Sequence, residues 1–443
     1  MDLSLDVGTS AVKVALVDQG LREVASATRP YPLIMASGSR VEMDPQAVFA
    51  AIATAVADLG RDRLAQVDRL VYDTFSPSLV LIGADGELVY PRIITHLDRR
   101  SAAQSQWIVD QIGADRFLAI TGMLPFIGGS AAVTLRWFVD HEPELLARVG
   151  GVNHLAGYLH HRLTGQWLTD RVNASMMGLA HTTTDSAWST DLIAALGFDR
   201  DWFGPIRNPG EPAGGLTAAA ARWLGLPAGL PVTVGTNDMA ASQVGAGNTR
   251  PGQIMNAAGS SDMVSILTDV AEVNPRYYLR NAALPGTWQI YATTVGGFAL
   301  DWFQDQFARE LSPADFYGPY LDAVVDAVLA DPAAAPPVEF EPYLSGDRQS
   351  LSPKTAAWRG LTLAATREQM LGAILTAIAQ TLGHTIELAR AHTRLDQTIK
   401  LSGGLATDPL LRLKRAAWPG FDFVPVHNCA ILGNVRLAQL AEA

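Results

Sequence analysis

One pattern occurs twice in this chain and limits what it can fold into. Near the start, Leu3-Ser4-Leu5-Asp6 and Val12-Lys13-Val14-Ala15-Leu16-Val17 read as short strands, with Val7-Gly8-Thr9-Ser10 between them. Far downstream, Ile254-Met255-Asn256-Ala257-Ala258 and Met263-Val264-Ser265-Ile266-Leu267 flank Gly259-Ser260-Ser261. Both are apolar strand, turn of glycine and hydroxyls, apolar strand. Such an echo suggests two domains of similar topology, with the division expected between residues 240 and 241 of the 443. That length suits two large domains. The 48% apolar and 17% charged residues supply cores rather than disorder.

The segments between the echoes alternate in type. Val24 to Ala27 extends the opening hairpin to a third strand. Pro45 to Leu59 reads as a helix capped by Asp44, with proline in its first turn. Leu70-Val71-Tyr72 reads as a strand, and Ala84-Asp85-Gly86 as a tight hairpin turn. The middle is mostly helical, with Trp137, Tyr158 and Trp167 as packing anchors. Leu230 to Val234 has a buried-strand pattern and runs into Gly235-Thr236-Asn237-Asp238 and a helix of small residues. Asp331 to Pro337 reads as a surface loop, and Arg367 to Ala391 as a long amphipathic helix. The tail runs strand (Ile399 to Leu401), glycine turn (Ser402-Gly403-Gly404), helix (Asp408 to Trp418), strand (Phe421 to Val424), helix. Alternation of this kind means α/β layering.

Several function classes fall away. A net charge of −11 leaves no basic footprint for nucleic acid or an anionic membrane. The single cysteine, Cys429, allows no internal disulfide and fits a reducing compartment, so a cytoplasmic location is expected. No apolar run is long enough to span a membrane, and the first residues read as a strand rather than a signal peptide. Neither a P-loop nor a well-placed Gly-x-Gly-x-x-Gly is present. Scattered histidines and the lack of a cysteine pair argue against structural zinc. No Gly-x-Ser-x-Gly elbow supports a serine hydrolase.

Three places can carry chemistry. Gly8 lets a phosphate approach the backbone, Thr9 and Ser10 donate to it, and Asp6 at the strand end can orient Mg²⁺ through water. An ordinary hairpin turn would have the same letters. Asp238 follows a buried strand and opens a helix, where a carboxylate can serve as base for phosphoryl transfer, or merely as the helix cap. Ser402-Gly403-Gly404-Leu405, between strand and helix, lets a flat base or ribose lie against the backbone, or is a plain turn.

Together these pieces resemble the FGGY carbohydrate kinases, of the actin/hexokinase/Hsp70 ATPase superfamily. Leu5-Asp6-Val7-Gly8-Thr9-Ser10 resembles the first phosphate motif. Leu79 to Ile82, Asp85-Gly86, Pro91 and Asp98-Arg99 resemble the sugar-side segment, and Leu163-Thr164-Gly165 with Thr169-Asp170 and Asn173-Ala174-Ser175 a characteristic helix and loop. Gly235 to Asp238 with Val244 to Gly247 resembles the catalytic-Asp motif, and Gly259-Ser260-Ser261 the second phosphate turn. Tyr343 to Arg348 with Arg359-Gly360 resembles the Gly-Glu-Arg segment, and Ser402-Gly403-Gly404 with Leu432-Gly433 the adenosine motif. The resemblance runs over essentially the whole chain, in order.

It implies an α/β fold of two ribonuclease-H-like domains around a central ATP cleft, closing to exclude water. Carried over, Asp238 is the base. Gly8, Thr9, Ser10, Lys13, Gly259, Ser260, Ser261, Gly403, Gly404, Leu405 and Asn428 hold ATP. Ser76, Pro77, Asp98, Asn237 and Asp238 face the acceptor, and Asp6 and Asp238 the Mg²⁺. The expected reaction is phosphorylation of a terminal hydroxyl of a ketopentose. A polyol such as glycerol or erythritol, or a catalytically silent nucleotide-binding regulator of the same fold, are the alternatives. A carboxylate acceptor is disfavoured, because it needs no base. A homodimer is compatible with this reading. The chain departs from xylulokinases in having Phe75-Ser76-Pro77-Ser78 where Gln-Met-His-Gly is usual, and it lacks the Arg-Glu pair of glycerol kinases. It has His96-Leu97 where an aromatic residue often precedes the sugar-side Asp, Thr134 where a lysine is frequent, and Asn428-Cys429-Ala430-Ile431 with no acidic residue before Leu432-Gly433.

Overall fold

The computed structural model describes all residues except 37–38, 185, 331–337, 345, 348–350, 352–353 and 443. The loop expected at 331–337, and positions 345 and 348 of the Tyr343 to Arg348 segment, lie outside the described residues. The chain divides into two compact units: Met1–Thr249 with Ala271–Trp288 and Asn428–Ala443, and Arg250–Val270 with Gln289–His427.

The first unit is built on a sheet whose strands run in the order Pro212–Gly215, Pro231–Thr233, Arg69–Thr74, Asp2–Val7, Ala11–Val17, Glu23–Pro30, with Thr236–Asn237 also paired to Arg69–Thr74. Asp2–Val7 pairs antiparallel with Ala11–Val17 and parallel with Arg69–Thr74. The Leu70-Val71-Tyr72 pattern thus belongs to a longer strand that continues through Asp73 and Thr74. Leu3, Leu5, Val12, Val14 and Leu70 point into one core with Val48, Ile52 and Val56 of the Pro45–Asp58 helix. Asp44 caps that helix, its carboxylate accepting the Gln46 N–H at 3.0 Å. The other face of the sheet presents Ala15, Val17 and Val71 to Ile431, Val435 and Ala438 of the Cys429–Glu442 helix.

The second unit repeats the plan. Its strands run Trp288–Val295, Ser261–Thr268, Ile254–Ala258, Thr398–Ser402, Asp422–Pro425. Ile254–Ala258 is antiparallel to Ser261–Thr268 and parallel to Thr398–Ser402, which is parallel to Asp422–Pro425. The Gly297–Phe307 and Arg367–Arg390 helices close a core around Leu300, Phe303, Leu371, Ile374 and Leu375. Thr366 and Gln369 form a reciprocal cap at the start of the longer helix. Lys414, Asn256 and Asp262 form a buried polar knot beneath this sheet: the ammonium donates to Asn256 Oδ1 at 2.6 Å and to Asp262 Oδ2 at 2.7 Å.

Candidate active site

In the first unit the opening turn is tight. Gly8 N–H donates to Ala11 O at 3.0 Å, and the Tyr31 hydroxyl donates to Gly8 O at 2.5 Å. Gly8 and Thr9 are partly exposed and Ser10 is exposed, so donors of the turn face outward. Asp6 ends the strand beside Asp73, its register partner on the parallel strand. The two carboxyls hydrogen-bond each other. Burial, then the charges of Asp6 and Asp238, push Asp73 well above the usual carboxylate range; burial raises Asp6 as well, against Asp73 and the Lys13 charge, which favour its charged form. Asn434 Nδ2, from the C-terminal helix, donates to the second Asp73 oxygen at 2.6 Å.

The helix Asp238–Gly245 begins just beyond. Its cap is Asn237, whose Oδ1 accepts from Met239 N–H at 3.1 Å and Ala240 N–H at 3.3 Å. The alternative of Asp238 as cap therefore gives way: Asn237 does that work, and Asp238 becomes the first helical residue. Asp238 Oδ1 accepts from Met239 N–H at 2.7 Å and Asn237 Nδ2 at 2.8 Å. Burial and the like charge of Asp6 push this carboxyl up to about 7, against the Met239 amide, the Arg280 guanidinium and Asn237, which favour the charged form. The Asp6 charge raises Asp238, a repulsion that a divalent cation relieves, and the two carboxyls offer the oxygen donors that Mg²⁺ prefers. No cluster of three or more metal-binding side chains occurs among the described residues.

Packing fixes the height of that helix. A Cβ on Gly245 would sit 1.8 Å from Cys429 O, and one on Gly433 1.8 Å from Ala241 O. The two helices thus approach backbone to backbone.

In the segment expected to face the acceptor, Ser76 Oγ donates to Asn173 Oδ1 at 2.5 Å, and Asn173 Nδ2 donates to Asp170 Oδ2. Thr236 Oγ1 donates to Asp170 Oδ1 at 2.9 Å. This chain of bonds links the Ser76-Pro77 segment to the residue two before Asp238. Burial pushes Asp170 up to about 6. His154 braces the same wall, with Nδ1 at 3.1 Å from Ser78 N and Nε2 at 3.1 Å from Asn173 O. Burial brings its imidazole down to about 4. Asp98 N–H donates to Thr95 O at 3.1 Å, and Thr95 pairs with Ser78 across the ladder; the Asp98 carboxylate accepts from Val41 N–H and from the amide and guanidinium of Arg100. Lys13 is ion-paired to Glu23 at 2.9 Å and donates to Asn428 Oδ1 at 2.7 Å. Asn428, expected with the C-terminal half, belongs to the first unit.

In the second unit, Gly259-Ser260-Ser261 is pinned to the start of the Gly297–Phe307 helix. Gly297 N–H donates to Gly259 O at 2.8 Å and Phe298 N–H to Ser260 O at 3.0 Å. The Gly403-Gly404-Leu405 turn lies against the same strand end, with Leu405 N–H donating to Ala258 O at 2.9 Å. Gly403 has φ +101°, and a Cβ there would fall 2.2 Å from Ala258 O, so only glycine fits. Parallel pairing of Ala257 with Ser402 brings these two distant turns side by side.

The model of the FGGY family of carbohydrate kinases, N-terminal domain, matches residues 1–245. The chain belongs to the FGGY family of carbohydrate kinases. It is 26% identical over 421 residues to the xylulose kinase of Bacillus subtilis, covering 93% of this chain and 82% of that protein. The solved xylulose kinase from Rhodospirillum rubrum superposes with a TM-score of 0.88 at 24% identity, covering 100% of this chain and 90% of that one. A gluconate kinase from Lactobacillus acidophilus gives a TM-score of 0.89 at 22% identity, with 100% and 89% coverage. The likeness establishes the two-domain actin/hexokinase-type fold, and FGGY membership makes the chain a carbohydrate kinase that uses ATP.

Sequence reasoning did not single out Asp73, Asn434, His154 or Arg280, whose side chains act on Asp6, Asp73, Asp238 or the Ser78 backbone. A charged residue directly after the apolar Leu70-Val71-Tyr72 run was the one available signal. Asn434 gave none, because its partner lies at the opposite end of the chain.

Proposed function

We propose that the chain transfers the γ-phosphoryl group of ATP to a terminal hydroxyl of a ketopentose of the xylulose type. The observation that carries this is the placement of Asp238: first residue of the helix that Asn237 caps, raised toward neutrality, and set in the unit that carries the Gly8-Thr9-Ser10 turn. Asp238 takes the acceptor hydroxyl proton. The oxygen bonds to the γ-phosphorus, the bond from that phosphorus to the β-phosphate bridging oxygen breaks, and ADP and a phosphomonoester leave. Mg²⁺, held through Asp6 and Asp238, supplies charge neutralisation at the phosphates when bound. Thr9 and Ser10, and in the second unit Ser260 and Ser261, donate to phosphate oxygens, while Gly8 and Gly259, whose N–H groups close their own turns on Ala11 O and Ser261 O, let the phosphate approach the backbone. Gly403, Gly404 and Leu405 form the adenosine floor, and Asn428 steadies Lys13 near the first turn. The Ser76–Asn173–Asp170–Thr236 chain holds the acceptor wall rigid, and Asn237 and Pro77 border it. Xylulose kinases among the relatives support the ketopentose. A single buried cysteine without a disulfide suits a cytoplasmic location.

The test is ADP release on a panel of ketopentoses, polyols and sugar acids. Asp238→Asn should cut turnover by roughly 10²–10⁴-fold while ATP binding persists. Undiminished turnover in that variant refutes the base.

One observation favours a second reading. Arg280 is buried, 3% exposed, and its charge acts on both Asp238 and His154. A guanidinium beside the acceptor wall suits an acidic sugar, and a gluconokinase from Bacillus licheniformis is also a relative, 23% identical. Under this reading gluconate outcompetes xylulose in kcat/KM and Arg280→Leu reverses the order. Under the ketopentose reading xylulose leads in both proteins.

A further inference from the structure

A cavity of about 560 Å³ opens in the first unit on residues that the phosphoryl-transfer site does not use. Its walls include Arg171, Arg200, Arg207, Ser186, Trp188 and Trp288. No described lining residue is acidic, although the chain as a whole is.

Arg171 is the decisive group. Its side chain is buried, 9% exposed. Its Nε has no hydrogen-bond partner among the described residues. Among the described residues Nη2 reaches only Ser186 Oγ, at 3.4 Å. Burial holds its pKa below the usual arginine value, against the neighbouring Asp170 charge. Burying a guanidinium and leaving donors unmade is costly, and such a group calls for an explanation. An anion in the cavity supplies one, because the planar guanidinium matches phosphate oxygens two at a time.

The other walls agree. Arg200 spends Nη1 on Phe203 O at 2.7 Å, and Arg207 spends Nε on Glu211 at 2.8 Å, so both keep further donors. Two indoles are anchored by their ring N–H, Trp188 to Gly204 O at 2.8 Å and Trp288 to Thr182 O at 2.6 Å. Fixed indole faces offer apolar surface to a carbon skeleton. The volume falls within the range of small-molecule sites.

We infer that this cavity is a second ligand site, separate from the phosphoryl-transfer centre, that binds a small phosphomonoester such as a sugar phosphate. The phosphate sits against Arg171 with Arg200 and Arg207, and the carbon skeleton lies along the indoles. Inorganic phosphate shares the charge but not the skeleton.

Calorimetry on the full-length protein tests this with ribose 5-phosphate, inorganic phosphate and neutral ribose. Ribose 5-phosphate should bind about tenfold or more tightly than inorganic phosphate, and ribose not at all. Arg171→Met should weaken ribose 5-phosphate by at least about tenfold, and Asp238→Asn should leave it unchanged. Arg200→Gln, at an exposed position, should weaken it by a few-fold and guards against misfolding of the Arg171 variant. Equal affinity for the ester and for phosphate would overturn the ester assignment. Binding that survives in both arginine variants, binding lost in Asp238→Asn, or no binding to the wild-type protein would each overturn the site.

Discussion

Asn237 accepts from the amides of Met239 and Ala240, and Asp238 follows as the first residue inside the helix. Replacing the cap reassigns that work. Asn237→Ala should cost about 1 kcal/mol of stability and draw the Asp238 carboxylate, which already accepts from the Met239 amide, further toward the freed Ala240 amide. Urea unfolding should show the loss and turnover should fall with it; full turnover would mean that the cap does not hold the base in place. His154 provides a pH signature. Its folded pKa, about 4, lies below the value of 6.5 expected for the unfolded chain. The unfolded state thus binds more protons between these limits, and stability from this group falls as pH drops through them. Buried carboxylates such as Asp170 act in the opposite sense, so the comparison must be with His154→Gln. Between pH 7 and pH 4 the wild-type protein should lose roughly 3 kcal/mol more than the variant, read by urea titration at both pH values. Parallel losses would show that the imidazole is not held neutral.

At the level of elements, two contacts decide where chemistry sits. The Asp238–Gly245 and Cys429–Glu442 helices touch through Ala241, Gly245, Cys429 and Gly433, with no room for one more carbon. Gly433→Ala should destabilise by roughly 1–3 kcal/mol, measured by thermal and urea unfolding; a neutral effect would show that the helices part freely. In the second unit, Lys414→Met would leave Asp262 buried without its cation, at a cost of roughly 3–5 kcal/mol. Equilibrium unfolding checks it, and an unchanged midpoint would contradict the buried pairing. Local patterns announced many such elements. Asp44 with Pro45 marked a helix start, and the Asp-Gly pair at 85–86 marked a turn, because these effects act within a few residues. Asp73 stayed hidden. Its meaning comes from lying opposite Asp6 in a parallel register and from a partner at position 434, and neither relation is local.

The two units share a plan: an antiparallel hairpin carrying a glycine-hydroxyl turn, continued by parallel strands. Glycine and hydroxyls at two distant turns made this repeat legible, since each turn joins two antiparallel strands of the same apolar pattern. The division of the chain was less so. Residues 271–288 and 428–443 return to the first unit, and such returns are set by helix-on-sheet packing that leaves no mark in composition. The acceptor is the least legible feature. Ser76, Asn173, Asp170, Thr236 and Arg280 come from separate segments, and the wall exists only once they meet. The direct test of the whole reading is phosphorus NMR of a mixture of xylulose, ATP and Mg²⁺ with the wild-type protein and Asp238→Asn. The expected result is a phosphomonoester signal growing in step with ADP for the wild-type protein and absent for the variant. ADP appearing with inorganic phosphate and no ester, or an equal ester signal from the variant, would contradict it.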